Sequence, residues 1–220
     1  MMKLSDKTVG ILKNFSTINQ NILIKEGSKL RTMSTMKNIL AEADVSEAFP
    51  ADFGIYDLNE FLGVLTLAKD ADLNFDNQAF LTADSGPTRI KYMYSDPSIL
   101  TVPPETFNAP ETDVDFSMPQ DILASVLKAS AVMQLPDITI TSNGNPGVEV
   151  TATDLKNTSS NNYTQVLDID RQPFECRFKA ENLKMISGDY VVNVSTSAGV
   201  SHWAGTDVSY WIAMEAKTDG

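Results

Sequence analysis

The chain has 220 residues, 42% of them hydrophobic, with 17 basic against 29 acidic residues and a net charge of −12 at pH 7. That length allows one large domain or two of about 110 residues, and the apolar share is ample for a packed core. The negative balance excludes a chain that coats itself uniformly on nucleic acid or anionic membrane, while leaving a local basic surface open. No apolar run approaches the ~18–20 residues of a membrane span, and "MMKLSDKTVG" has no apolar stretch leading to a small-residue cleavage site, so a cytosolic protein with no membrane partner is expected. The single cysteine, Cys176 in "FECRF", precludes an intrachain disulfide and reads as an inert thiol on a strand.

Taken in chain order, "LSDKTVGILKNFSTIN" places Leu4, Ile11, Leu12, Phe15 and Ile18 on one helical face, with Ser5 as N-cap. A strand in "NILIKEG" follows, then a turn and a second strand in "KLRTMST". Next, "IYDLNEFLGVLTLA" (55–68) is an amphipathic helix opened by Asp57, with Leu58, Phe61, Leu62 and Leu65 at helical spacing. Strands "ADLNF", "AFLTAD" and "RIKYMY" complete the first half.

The second half runs through the same plan. "SMPQDILASVLKASAVMQ" puts Ile122, Leu123, Val126, Leu127 and Met133 on an equivalent helix, begun by Ser117 with Pro119 in its first turn. Strands "DITITSNG" and "GVEVTAT" are joined by the hairpin-turn chemistry of "TSNGNPG". A second helix is expected at 179–188, "KAENLKMISG", followed by strands "DYVVNVST", "VSHWAG" and "VSYWIAMEA". Matching landmarks lie 118 residues apart at Leu4 and Ile122, 116 at Ile22 and Ile138, and 125 at Leu58 and Leu183, the mark of an internal duplication. Between the halves, "SDPSILTVPPETFNAPETDVDF" carries Pro97, Pro103, Pro104 and Pro110 and breaks any helix. The expected organisation is a domain over 1–110, with a connector from about 95, and a second over 111–220. Each is α+β, two helices on one face of an antiparallel sheet.

Catalytic chemistry finds no constellation. No phosphate-binding glycine loop is present, so no nucleotide cofactor is expected. His202 is the only histidine and alternates with Trp203 on a predicted strand, so a triad or zinc site would rest on one ring. Asp168 and Asp170 in "LDIDRQ" can hold a divalent cation or form one solvated strand face; a third ligand is not nearby.

Charge is distributed unevenly. Lys3, Lys7, Lys13, Lys69, Lys128, Lys179 and Lys184 lie on or beside the four predicted helices, against six acids there, which leaves ten basic and twenty-three acidic residues elsewhere. Lysines spaced along helices suit sequence-blind attraction to phosphates, and are equally ordinary solvated helix faces.

The ordered set "MKLSDKTVGILKNFSTIN", "IYDLNEFLGVLTLA", "NLKMISGDY" and "YWIAMEA" closely resembles the sliding clamps of T-even-type bacteriophages, which are DNA polymerase processivity factors. The resemblance runs through nearly the whole chain and is best at the first helix and at 55–68. It implies two tandem DNA-clamp domains per chain and a homotrimeric ring of six domains. Such a ring encircles duplex DNA and tethers the replicative polymerase, with no catalysis and no cofactor. A clamp loader ATPase, other replication factors and late-transcription factors are implied partners, in the cytoplasm of the infected host. By position, Lys3, Lys7, Lys13, Lys128 and Lys184 would face DNA, with Lys69 at a helix end as a further candidate. The third helix is sparse in basic residues, Ala131 and Val132 following Lys128. A partner-peptide pocket would draw on Ile99, Leu100 and Val102 of the connector and on Trp211, for which core packing is the competing reading. Subunit joints would pair "RIKYMY" or "KLRTMST" with 189–195 of a neighbour. Two other readings stand beside this one: a phage structural protein, and an enzyme using Asp168, Asp170 or His202.

Overall fold

The computed structural model describes residues 1–216 apart from 145 and 158, and it divides into two compact units, the first ending at Thr106 and the second beginning at Phe107. Residue 145 of the "TSNGNPG" turn lies outside the described residues.

The first unit begins with α1 (Asp6–Ile18), in which Thr8, Ile11, Leu12, Phe15 and Ile18 form one buried stripe at the 3.6-residue period. Ser5 caps it, its hydroxyl accepting from the Thr8 N–H at 3.2 Å. Asn19 ends it in an extended conformation and donates its amide to the Met33 carbonyl at 2.8 Å. Four strands follow: β1 (Ile22–Ile24), β2 (Gly27–Met33), β3 (Ile39–Phe49) and β4 (Phe53–Ile55). Helix α2 (Leu58–Leu67) is capped by Asp57, which accepts from the Asn59 and Glu60 N–H groups at 2.9 and 3.1 Å. The Leu58 N–H also donates to the Gln20 carbonyl at 2.8 Å, tying the start of α2 to the chain just beyond α1. Leu58, Phe61 and Leu62 are buried, and Leu65 is half-buried. The unit closes with β5 (Asp72–Asn74), β6 (Phe80–Ser85) and β7 (Thr88–Met93).

Pairing is antiparallel throughout: β1 with β4, β2 with β3, and β5-β6-β7 in order, with Met2 bridging Leu73 of β5. Gly54 is the one glycine here fixed by close approach, since a Cβ at that position would lie 2.5 Å from the Ser95 carbonyl oxygen and 2.8 Å from Leu100 Cδ1.

The second unit contains β8 (Val114–Met118), α3 (Gln120–Met133), β9 (Asp137–Ser142), β10 (Val148–Thr153), β11 (Tyr163–Leu167) and β12 (Phe174–Lys179). After them come β13 (Tyr190–Ser195), β14 (Val200–Ala204) and β15 (Val208–Ala213). Here β9 pairs with β12, β10 with β11, and β13-β14-β15 run in order with β8 on β13. The pairings of the first unit recur here, with β8 standing where Met2 bridges; in addition β9 pairs with β10, which joins the strands into the sheet β11-β10-β9-β12, whereas β1 and β4 form a two-stranded sheet of their own. Its core is built on Phe116, Met118, Val126, Ile138, Val150, Phe178, Trp203 and Tyr210, with the Cys176 thiol buried among them.

Three sequence expectations fail in this unit. The helix expected at 179–188 is absent: β12 runs to Lys179, a single 3-10 turn covers Ala180–Asn182, and the chain then extends. Of Leu183, Met185 and Ile186, only Leu183 is buried. The backbone there is also committed elsewhere: the Ile186 N–H donates to the Tyr210 hydroxyl at 3.1 Å, the Ile186 carbonyl accepts from the Tyr190 hydroxyl, and the Ala180 N–H donates to the Pro136 carbonyl at 2.9 Å. Lys179 accordingly belongs to a strand end, paired with the buried carboxylate of Asp137. The N-cap of α3 is not Ser117, which lies within β8; the cap position is Pro119, and Asp189 accepts the Gln120 N–H at 2.8 Å from the other side of the unit. Finally, 189–195 offers no free edge for a neighbour, because β13 is paired on one side with β14 and on the other with β8.

Candidate functional site

The outward face of α1 follows from its buried stripe. Asp6, Lys7, Gly10, Lys13 and Thr17 are all exposed, with Lys7 and Lys13 at the two margins of that arc and Gly10 near its middle. Lys3 stands just ahead of the helix, its ammonium 3.9 Å from Asp72 of β5. The pitch of α1 is fixed by Glu47 of β3, which is 8% exposed and accepts from the Ser5 N–H at 2.5 Å, the Thr8 hydroxyl at 2.6 Å and the Ser46 hydroxyl at 3.1 Å. Burial pushes the Glu47 carboxyl up, but the hydrogen bonds from Thr8 and Ser5 outweigh it and hold the group at about 2, against an ordinary 4.5. A carboxylate at a helix N-terminus also complements the helix dipole.

The exposed residues of α2 are Asn59, Glu60, Gly63, Thr66 and Leu67, with no lysine among them. Lys69 follows beyond the end of the helix, exposed, its carbonyl anchored by the Ser85 hydroxyl at 2.6 Å. On α3 the outward face carries Asp121, Ala124, Lys128, Ala131 and Val132, so Lys128 is its only basic residue. Lys184 is exposed but lies on the extended segment after the 3-10 turn, on no helix. Of the six lysines, the structure thus places Lys7, Lys13 and Lys128 on helices and Lys3, Lys69 and Lys184 beside them or on extended chain.

The connector is held to the first unit by specific bonds. Asp96 accepts from the Ser98 N–H at 2.8 Å, Asn21 from the Thr101 N–H at 2.9 Å, and Arg31 donates to the Pro104 carbonyl at 2.8 Å while pairing with Glu42 at 3.2 Å. Ile99 is exposed, Val102 is half-buried, and Leu100 is buried against Gly54. Leu100 therefore packs the connector onto its own unit. In the second unit, Trp211 is half-buried on the face of β15 opposite to Tyr210 and Ile212, outside the core that Trp203 occupies. It stacks on His202 across the strand pair, centroids 4.5 Å apart at 12°, and Phe107 meets it edge-on at 5.3 Å. Sequence reasoning misses Phe107; a lone aromatic in a proline-rich acidic stretch is the signal that marks it. Asp168 and Asp170 are exposed, and no group of three or more His, Cys, Asp or Glu residues able to hold a metal occurs among the described residues.

A duplicated α+β unit with helices over antiparallel strands defines a recognisable class. The chain matches the DNA polymerase III beta chain of Streptococcus pneumoniae with a TM-score of 0.74 at 10% identity, over 99% of this chain and 65% of that one. It matches the PCNA of A. fulgidus at 0.71 and 12% identity, over 99% and 98% of the two chains. The fold is that of the sliding clamps. Residues 3–99 match the family model described as DNA polymerase processivity factor, and residues 115–216 the one described as gp45 sliding clamp, C terminal. The sliding clamp of Vibrio phage KVP40 is 34% identical over 98% of this chain and 100% of its own length, and that of Enterobacteria phage T4 is 30% identical over 99% and 98%. The chain belongs to the phage sliding-clamp family, DNA polymerase processivity factors that are not enzymes.

Proposed function

We propose that three copies of this chain close into a ring of six domains around duplex DNA and hold the replicative polymerase to its template. The outward faces of α1, α2 and α3 line the hole in this reading, with Lys7, Lys13 and Lys128 toward the phosphates and Lys3, Lys69 and Lys184 as flanking charges. The observation that carries the reading is the family match to both halves of the chain, joined to a lysine-bearing outward face on α1 within a protein of net charge −12. A small number of lysines suits a ring that slides, since each phosphate contact adds about 0.9 to the salt slope of binding and a clamp that gripped DNA strongly would stay in place. Leu67 and Val132, exposed on α2 and α3, add surface without charge.

Ring closure falls to strands with a free edge. β7 and β11 each end a sheet, β5-β6-β7 and β11-β10-β9-β12, and they expose Met93 and Val166 at those edges. Pairing β7 of one subunit with β11 of the next satisfies both. Polymerase, and other replication and late-transcription factors, dock at the exposed connector residues and the Phe107–Trp211 face, after a clamp loader ATPase has opened the ring in the cytoplasm of the infected host.

Native mass measurement with electron microscopy tests the assembly: a trimeric ring is expected, and a monomer at micromolar concentration without a ring overturns it. Replication of a primed circular template then tests function. Long products should require clamp, loader and ATP together, and Lys7→Ala with Lys13→Ala should lower the salt slope of DNA association by about 1–2.

A further inference from the structure

Because the pairing scheme repeats, a cleft opens at the same point in each unit, where the strands entering at β4 or β12, the turn after β5 or β13 and the segment leaving β7 or β15 converge. In the second unit it is a space of about 720 Å³ reaching Pro173, Phe174 and Met214. In the first unit it is about 340 Å³, and its floor is aromatic. Phe53 is buried there, with Phe75 at 5.3 Å and Tyr94 at 5.0 Å, and Phe49 supports both phenylalanines from behind at 5.9 and 6.3 Å. Phe75 and Tyr94 are half-exposed, so apolar ring surface reaches the mouth.

The mouth is polar and acidic. Asp52, Asn77 and Gln78 line it, Asp76 sits between two lining residues, and no basic residue lines it. Asp52 is ion-paired with Lys25 at 2.9 Å and accepts the Glu26 N–H at 2.7 Å, so the uncommitted acid at the rim, among the described residues, is Asp76. Neither the Tyr94 hydroxyl nor the Gln78 amide has a hydrogen-bond partner among the described residues. Ligand sites of small molecules span roughly 300–1,000 Å³, so this volume suits one or two side chains.

We propose that this cleft docks an extended segment of a protein partner through one aromatic or large aliphatic side chain flanked by lysine or arginine. The ring floor receives the apolar group, the exposed Asp76 at the rim attracts a flanking cation, and Tyr94 and Gln78 meet the segment's backbone. The site lies in the first unit and uses neither Trp211 nor Phe107, so it stands apart from the polymerase-docking face proposed above.

The test uses the full-length assembled protein and three fluorescent probe peptides: Lys-Leu-Phe-Lys, the same with Glu for Lys, and the same with Ala for Leu and Phe. A benzophenone side chain replaces Phe in a cross-linking version. The basic aromatic probe should bind saturably, about tenfold more tightly than either control, and cross-link within 51–53, 75–78 or 94. Asp76→Lys and Gln78→Trp, both at exposed positions and checked by unchanged melting temperature, should each weaken it by about fivefold or more. Equal binding of the three probes, cross-links elsewhere, or no saturable binding overturns the proposal.

Discussion

Replacing Glu47 with Gln removes the charge that orients the first helix while keeping the shape of the side chain. In the folded protein the carboxyl sits at about 2 and in the unfolded chain near its ordinary 4.5. A group depressed on folding contributes stability that is fully present above the unfolded value and is lost as pH falls through the folded one. At about 1.4 kcal/mol per unit, the shift corresponds to about 3 kcal/mol, disappearing between roughly pH 4.5 and pH 2. At pH 7 the Gln variant should be less stable by about 2 kcal/mol, because charge-assisted bonds from the Ser5 N–H and the Thr8 hydroxyl become neutral ones. The assay is urea unfolding at a series of pH values, followed by circular dichroism at fixed protein concentration, since a subunit assembly makes apparent stability concentration-dependent. The wild type should lose stability steeply below pH 4.5, and Glu47→Gln should show a shallower acid limb with the two curves converging near pH 2. Parallel curves at all pH values would refute the assignment of that stability to Glu47. Thr8→Val should reproduce part of the loss, and a double-mutant cycle with Glu47→Gln should be non-additive.

Other substitutions probe the same frame. Gly10→Ala and Gly63→Ala, at exposed mid-helix positions where an added Cβ meets nothing within 4 Å, should each stabilise by about 0.5–1 kcal/mol in chemical denaturation. If Gly10→Ala stabilises as expected yet lowers processivity, the smooth centre of the α1 face serves the approach of DNA. Gly54→Ala should destabilise by about 1–3 kcal/mol and loosen the connector, read as faster proteolysis near 95–105, because the new methyl collides with the Ser95 carbonyl and Leu100. Asp189→Ala should cost about 1 kcal/mol by leaving the start of α3 uncapped, and Asp189→Asn should recover most of it.

Much of the architecture is written in local periodicity. The stripes of α1 and α2, the caps Ser5 and Asp57, the alternation along β10 and β15, and the proline-rich connector all depend on residues within a few positions of one another, so the sequence alone determines them. The outward positions of Lys7, Lys13 and Lys128 follow from the same arithmetic, since the exposed face of a helix is the complement of its buried one. What the tertiary structure decided depends on groups far apart in the chain. Residues 179–188 form no helix because the hydroxyls of Tyr190 and Tyr210 take the backbone groups of Ile186. Asp189 caps α3 across 69 residues, and Glu47 seats α1 across 42. Leu100 is buried because Gly54 lets the connector close upon it, and Trp211 stays outside the core because Trp203 and Tyr210 fill it from the other face. A side chain's spacing fixes the face on which it lies; which hydrogen-bonding group or ring it meets there is set only when chain closure brings distant segments together.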